Sequence, residues 1–177
     1  MCVLIVKPAG IQMPSYSILK QAYKANPHGC GFATKKRFYK TLNFEDFINE
    51  LNKVRDDEDV MIHFRYATHG SIKKSNCHPF KKHDVVFAHN GILDITPIGD
   101  KTDSETAFLQ VIYPIVKKYG LFSHETDEAV ASVIGYSRFA ILQGDNIKLY
   151  GDYVKVKGVY YSNLRFLPYS RKFYDIA

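Results

Sequence analysis

Residues Met61–Leu93 read MIHFRYATHGSIKKSNCHPFKKHDVVFAHNGIL, and the rest of the chain can be interpreted from this stretch. It contains two apolar runs that predict strands, Val60–Tyr66 and Val85–His89. The first run ends in the polar cluster Arg65–Gly70, and the second ends in His89–Gly91. The sequence therefore predicts two central strands whose ends contribute polar side chains to one pocket.

The elements before this stretch are predicted from apolar patterns and capping residues. Cys2–Val6 is apolar throughout, which predicts a strand that is buried on both faces. Ser15 is the predicted cap of a helix to about residue 26, and Asn43 is the predicted cap of a short amphipathic helix. A hairpin is predicted between them, with strands at Gly31–Lys35 and Arg37–Leu42.

The elements after the stretch begin with a capping box, Thr102-x-x-Glu105, which predicts a helix to Lys118. Thr126 is the predicted cap of a further helix to about residue 134. Strands are then predicted at Arg138–Gln143, Ile147–Tyr150 and Tyr153–Leu164, the last with a break at Gly158. This order of helices and strands indicates one α+β domain over residues 1–177.

Composition limits the class of protein. A chain of 177 residues with 46% hydrophobic content suits one domain with a real core. Its apolar runs fall short of the ~18 residues that a membrane helix needs, and its beginning does not resemble a signal peptide. We therefore expect a soluble cytoplasmic protein that has no membrane partner. The net charge of +6 leaves a nucleic-acid partner open, but no nucleic-acid-binding motif supports one.

Cys2 is a candidate nucleophile. Methionine is removed from nascent chains when the next side chain is small, so Cys2 would become the first residue. A free α-amino group has a pKa of about 7.7–8.0 and a thiol one of about 8.5, so the amine can take the thiol proton directly or through a water. The alternative is that a cysteine stands at this position incidentally.

Asn90 and Gly91 follow the second central strand and are candidate oxyanion donors. The side-chain amide of Asn90 can donate one hydrogen bond and the backbone N–H of Gly91 a second one. Glycine also lets a substrate approach closely, because it lacks a Cβ atom. The alternative is a hairpin turn, for which Asn-Gly is a common dipeptide.

Two charged residues are candidates for binding a substrate. Arg65 ends an apolar strand, where its guanidinium could hold a carboxylate through two hydrogen bonds. The alternative for Arg65 is a structural salt bridge. Asp103 begins a helix and could hold an ammonium group, or it could serve only the helix dipole. Residues 68–70 would form a loop wall of the same pocket.

The histidines of the central stretch raise the question of a metal site. The residues concerned are His63, His69, Cys77, His78, His83 and His89. Their spacing does not match that of a structural zinc site. We therefore predict neither a metal nor another cofactor.

These motifs together resemble the class-II glutamine amidotransferase domain, a branch of the N-terminal nucleophile hydrolases. The matching motifs occur in the family's order: Met1-Cys2, Asn26–Ala33, His63–Gly70, Asn76–Phe80, His89–Gly91 and Thr102–Glu105. The strand that ends in Tyr160–Asn163 also resembles the C-terminal part of small members.

The resemblance implies a four-layer αββα sandwich with mostly antiparallel sheets. It also implies roles for individual residues. Cys2 matches the nucleophile, and Asn90 and Gly91 match the oxyanion hole. Arg65 matches the residue that holds the α-carboxylate of L-glutamine, and Asp103 matches the one that holds its α-amino group. The positions that match pocket-lining residues are Thr68, His69 and Gly29.

The implied reaction releases ammonia from the side-chain amide of glutamine through a γ-glutamyl thioester. Members that build a product carry a synthase domain, so we expect a separate synthase subunit to take the ammonia here. Small stand-alone members are typical of bacteria and their phages. Many family members carry Trp after the motif Arg, whereas this chain has Tyr66. The turn that often reads Asp-Gly-Trp-Gly in the family reads His-Gly-Cys-Gly at residues 28–31. These departures support an alternative, an amidase or γ-glutamyl hydrolase with another substrate; a catalytically silent binding module is the third.

Overall fold

Two antiparallel β-sheets form the centre of the molecule. The structure is a computed structural model and describes residues 2–68 and 70–168. The six-stranded sheet contains, in spatial order, β3 (Phe38–Thr41), β2 (Cys30–Ala33), β4 (Val60–Phe64), β1 (Val3–Lys7), β10 (Val159–Tyr161) and β9 (Val154–Val156). The four-stranded sheet contains β5 (Phe80–Lys82), β6 (Val85–Asn90), β7 (Arg138–Gln143) and β8 (Asn146–Tyr150).

The strand that follows Cys2 occupies the middle of the larger sheet. β1 pairs with β4 on one side, where Val3 lies opposite Phe64, and with β10 on the other, where Ile5 lies opposite Tyr161. Every residue of β1, β4 and β6 is buried, as a strand covered on both faces requires. The two central strands predicted from the sequence are thus confirmed as β4 and β6.

Helices cover the outer face of each sheet. The helices of the larger sheet are α1 (Tyr16–Ala25) and α2 (Phe44–Leu51). Those of the smaller sheet are α3 (Asp103–Ala107), α4 (Tyr113–Tyr119) and α5 (His124–Ile134), with a π-helical segment Phe108–Ile112 between α3 and α4. The predicted caps Ser15, Asn43 and Thr102 are confirmed, because each side chain accepts a hydrogen bond from a backbone N–H of its helix.

Three apolar clusters separate four layers. One cluster packs α1 and α2 against the larger sheet, and a second packs α3–α5 against the smaller one. The third lies between the sheets and consists of Leu4, Val6, Ala33, Met61, Val86, Ala88, Ala140 and Leu142. The layer order is therefore αββα, and the fold that the family resemblance implied is confirmed.

Three details differ from the prediction. α5 is capped by Ser123 and not by Thr126; the hydroxyl of Ser123 accepts the N–H of Thr126 at 3.1 Å. The helix after Thr102 widens into the π-helical segment, whereas a continuous helix to Lys118 was predicted. The short strand β5 was not predicted.

Among the described residues, no helix combines the length and the apolar character needed to cross a membrane.

Candidate active site

A cavity of about 560 Å³ lies where β1 and β4 meet the loops that follow β4 and β6. We call it the site cavity. Six of the predicted site and wall residues line it, namely Cys2, Arg65, Thr68, Gly70, Gly91 and Asp103. The fold thus brings together a thiol, a guanidinium and a carboxylate from three distant parts of the chain. His69, the remaining predicted wall residue of this loop, lies outside the described residues.

Cys2 is held by two main-chain contacts. Its sulfur accepts the backbone N–H of Tyr66 at 3.3 Å and lies 3.5 Å from the Tyr66 carbonyl oxygen, to which the thiol can donate. Its own carbonyl oxygen accepts a hydrogen bond from the side-chain amide of Asn163 at 2.9 Å. The thiol therefore has a fixed position at the wall of the site cavity.

The environment of Cys2 favours the protonated thiol. Burial raises the pKa of the Cys2 thiol above its ordinary value, while the Tyr66 N–H and the positive charge of Arg65 act in the opposite direction. Because burial is the largest of these effects, little thiolate is present near neutral pH. A nucleophilic Cys2 would thus need a base close to its sulfur.

Arg65 is a charged side chain in a buried position, 5% exposed. Its backbone N–H donates to the Gly29 carbonyl oxygen at 2.8 Å, and Nη1 donates to the Ser71 carbonyl oxygen at 3.1 Å. A guanidinium fixed in this way adds a positive charge to the cavity wall beside the thiol. The arrangement is compatible with binding an anionic group.

The carboxylate of Asp103 is oriented by three hydrogen bonds. Oδ1 accepts the backbone N–H of Ser104 at 2.7 Å and its hydroxyl at 3.2 Å, and Oδ2 accepts the backbone N–H of Leu93 at 3.2 Å. Asp103 is also the first residue of α3, so its negative charge favours the helix N-terminus. In this geometry the carboxylate can interact with the helix dipole and hold an ammonium group at the same time.

His89 extends this network into the interior. Its Nδ1 lies 2.8 Å from the Ser104 hydroxyl oxygen. That hydroxyl donates to Asp103, so Nδ1 must carry the proton and donate to Ser104. Burial lowers the pKa of His89 to about 4, so the imidazole is neutral near pH 7. The relay from His89 through Ser104 to Asp103 could not be inferred from the sequence.

Three buried histidines contact one another at the site cavity, and two of them, His78 and His89, belong to its lining. The ring centroids of His63 and His78 are 4.3 Å apart, and those of His78 and His89 are 6.0 Å apart. Burial lowers the pKa of His63 to about 3 and that of His78 well below its ordinary value. All three are thus neutral at pH 7. Among the described residues, no three His, Cys, Asp or Glu side chains are arranged to hold a metal ion.

Asn90 and Gly91 do not form the hairpin turn that was the alternative for this dipeptide. β6 ends at Asn90, and residues 91–102 form a long loop that lines the site cavity. Asn90 is 3% exposed and is not among the described residues that line the cavity; its Nδ2 donates to the Ser162 hydroxyl oxygen at 2.7 Å. Gly91 lines the cavity next to it.

Gly29 also lies behind the cavity wall, and it is not among the described lining residues. A Cβ atom at Gly29 would come within 2.3 Å of the Cys77 sulfur, and its φ of +118° disfavours other residues. Its carbonyl oxygen accepts the Arg65 N–H, so Gly29 contacts the backbone that carries Arg65.

Sequence reasoning missed three contacts of this site, those of Ser104, Ser162 and Asn163. Ser104 lies within the capping box Thr102-x-x-Glu105, which predicts only the start of a helix. Ser162 and Asn163 stand in the stretch 160–163, whose similarity to small family members was noted without a role. The contacts of Ser162 and Asn163 join residues far apart in the sequence, so the available signal for them was a motif match.

Comparison with known proteins gives the family. The family model of class-II glutamine amidotransferases matches residues 45–142, more than half of the chain. The glutamine–fructose-6-phosphate aminotransferase (isomerizing) of Buchnera aphidicola subsp. Acyrthosiphon pisum is 29% identical over 123 residues, which are 62% of this chain and 18% of that protein. The protein of the same name from Xylella fastidiosa (strain 9a5c) is 31% identical over 86 residues, 48% of this chain and 12% of that protein.

The chain therefore spans less than a fifth of the length of these relatives. The solved structure of an allosteric regulatory enzyme of purine biosynthesis has the same fold: it superposes with a TM-score of 0.57 at 17% identity, over 91% of this chain and 41% of that one. Fold and family match agree with each other and with the order of the sequence motifs. The chain belongs to the class-II glutamine amidotransferases, on the fold of the N-terminal nucleophile hydrolases.

Proposed function

We propose that this domain hydrolyses the side-chain amide of L-glutamine with Cys2 as the nucleophile, and that it passes the ammonia to an acceptor domain or subunit. The observation that carries the proposal is the shared cavity, which is lined by the Cys2 thiol, the Arg65 guanidinium and the Asp103 carboxylate. Membership of the family supports the same reaction class.

Two charges of opposite sign suit the free amino acid. Arg65 would hold the α-carboxylate, because a guanidinium offers two parallel N–H donors to a carboxylate. Asp103 would hold the α-ammonium group, because its carboxylate is negative and already oriented by Ser104 and Leu93. A substrate fixed at both α-groups extends its side chain toward the third group, the Cys2 sulfur. Thr68, which also lines the cavity, would complete the wall.

The first chemical step needs a free α-amino group on Cys2, which we propose arises by removal of Met1. The raised pKa of the thiol makes a base necessary, and an α-amine with a pKa of about 7.7–8.0 is close to the required strength. The amine takes the thiol proton, and the sulfur attacks the amide carbon. Asn90 and the N–H of Gly91 would stabilise the resulting oxyanion.

The intermediate then collapses to products. The C–N bond breaks, the amide nitrogen takes the proton from the Cys2 amine, and ammonia leaves a γ-glutamyl thioester on the sulfur. Water attacks the thioester with the amine again acting as base. The C–S bond breaks, the thiol regains its proton, and glutamate is released.

The test combines intact mass with a glutamine-shaped reagent. A diazo-ketone analogue of glutamine should add one adduct to a protein that has lost Met1, and peptide mapping should place it on Cys2. Cys30 and Cys77 are fully buried and serve as internal controls. Cys2→Ser should lose the adduct and lower glutamate production by about 10³-fold or more, as the loss of a nucleophile does. Cys77→Ala should retain both.

A labelled Cys77, or glutamate production that survives Cys2→Ser, would contradict the proposal.

A second candidate is an amidase for a larger γ-glutamyl amide. The cavity of about 560 Å³ favours it, since this volume lies within the range typical of drug-sized ligands. A panel of γ-glutamyl amides separates the two: a strong preference for free glutamine rejects the second candidate, and a preference for a larger amide rejects the first.

A further inference from the structure

Ser162 connects the strand of the nucleophile to the side chain of Asn90. Its buried hydroxyl accepts the backbone N–H of Leu4 at 2.9 Å and the Nδ2 of Asn90 at 2.7 Å. Leu4 stands two positions after Cys2 on β1. One hydroxyl oxygen thus contacts both the strand that carries the thiol and the amide that would face the oxyanion.

This hydrogen bond fixes the orientation of the Asn90 amide. Asn90 is buried, and its Oδ1 accepts no hydrogen bond from the described residues. The bond from Nδ2 to Ser162 is therefore the polar contact that sets the plane of the amide group. An amide nitrogen carries two hydrogens, so the second one remains available to donate elsewhere.

The next residue acts on the nucleophile itself. Asn163 donates from its side-chain amide to the carbonyl oxygen of Cys2 at 2.9 Å. The pairing of β1 and β10 continues without these side chains, because the backbone N–H of Ser162 donates to the Leu4 carbonyl oxygen at 2.8 Å. The two side chains thus add contacts that the sheet does not require.

We propose that Ser162 is a positioning residue for the reaction of this site: it orients the Asn90 amide toward the developing oxyanion, while Asn163 fixes the main chain of Cys2. The inference rests on the function proposed above. Asn90 would bind charge that exists only in the transition state and intermediate, so its misorientation lowers kcat and leaves the affinity for glutamine intact.

Ser162→Ala tests this directly. The kcat for glutamate production should fall by about 10- to 100-fold, less than or equal to the loss of an oxyanion donor, while KM stays within about twofold. Ser123→Ala is the matched control, because it removes the helix-capping hydroxyl of α5 and no contact of the site. It should lower the melting temperature and leave kcat unchanged. A Ser162→Ala enzyme with wild-type kcat overturns the inference.

A double-mutant cycle distinguishes positioning from a general loss of structure. If Ser162 acts through Asn90, then adding Ser162→Ala to Asn90→Ala should change kcat by less than about twofold. Two fully additive losses would show that Ser162 acts on stability or on another group, and would overturn the inference. Circular dichroism and melting temperature of all four proteins establish that each is folded.

The two proposals fail in different ways. A wild-type protein that lacks Met1 but neither produces glutamate nor takes the diazo-ketone label refutes the proposed function, and the positioning role falls with it. A wild-type protein that is active while Ser162→Ala is equally active refutes the positioning role alone. Asn163→Ala adds an independent readout. It should slow the labelling of Cys2 by the diazo-ketone, and it should be no less stable than the control Ser123→Ala, which labels at the wild-type rate.

Discussion

At Gly91 the structure has no room for a methyl group. The φ angle is +149°, and a Cβ atom would lie 2.2 Å from the Ser137 hydroxyl oxygen and 2.9 Å from its Cα. Gly91→Ala must therefore move the backbone N–H that we assign to the oxyanion. We expect the rate of Cys2 labelling and of glutamate production to fall by about 100-fold or more.

Gly10→Ala is the control for Gly91→Ala. Gly10 also has a positive φ, +76°, but no atom lies within 4 Å of a Cβ placed there. This variant should lose some stability from backbone strain and should retain full activity. Wild-type activity in Gly91→Ala, with the chain folded by circular dichroism, would remove Gly91 from the proposed oxyanion hole.

Single residues of the site were predictable where their chemistry and their position in an element agreed. Arg65 at the end of an apolar strand and Asp103 at a helix start stood out by residue type, and both line the site cavity. The burial of Asn90 behind that wall did not follow from its sequence. Its side-chain amide bonds to Ser162, which lies 72 positions away, and no local pattern encodes such a contact.

Among the elements, the cap of α5 gives a testable correction. Ser123→Ala removes the hydroxyl that accepts the N–H of Thr126, and should cost about 1 kcal/mol of the free energy of unfolding. Ser132 lies on the exposed side of the same helix, so Ser132→Ala should leave stability unchanged or raise it slightly. Urea unfolding of both variants measures the difference. Equal stabilities would place the cap elsewhere.

The sequence predicted helix starts well where one capping residue precedes a clear apolar pattern, as at Ser15 and Asn43. Before α5, two hydroxyl residues three positions apart could each serve as the cap. In the structure Thr126 lies inside the first turn of α5, where its backbone N–H donates to the Ser123 hydroxyl, so Ser123 is the cap. The π-helical segment 108–112 ends two residues before Pro114, which has no N–H to donate one turn back, and the prediction of a continuous helix does not use this signal.

The molecule as a whole should lose stability as the pH falls below 6.5. Burial holds the pKa of His63 at about 3 and that of His89 at about 4, and it lowers that of His78 as well. These pKa values lie below the ordinary value of 6.5, so the unfolded chain binds more protons than the folded one in this range. The free energy of unfolding is therefore fully retained above pH 6.5 and falls toward pH 4.

The size of this effect can be measured by urea unfolding between pH 7.5 and 5.5. Each buried imidazole should contribute a loss of roughly 1 kcal/mol between pH 6.5 and 5.5. His78→Phe keeps a ring beside Phe80, whose centroid lies 4.6 Å from that of His78, and removes one titrating group. The slope should decrease by about a third. An unchanged slope in His78→Phe would show that His78 is not buried neutral in solution.

The central place of β1 has a consequence for synthesis on the ribosome. Leu4 and Ser162 are in contact but stand 158 positions apart, so β1 is synthesised long before its partner β10. At about 5–20 residues per second, this interval lasts roughly 10–30 seconds. During that time β1 has no β10 to pair with, whereas its other partner β4 is already available. The side-chain contacts of Ser162 and Asn163 with the segment of Cys2 therefore form only after most of the domain has been synthesised.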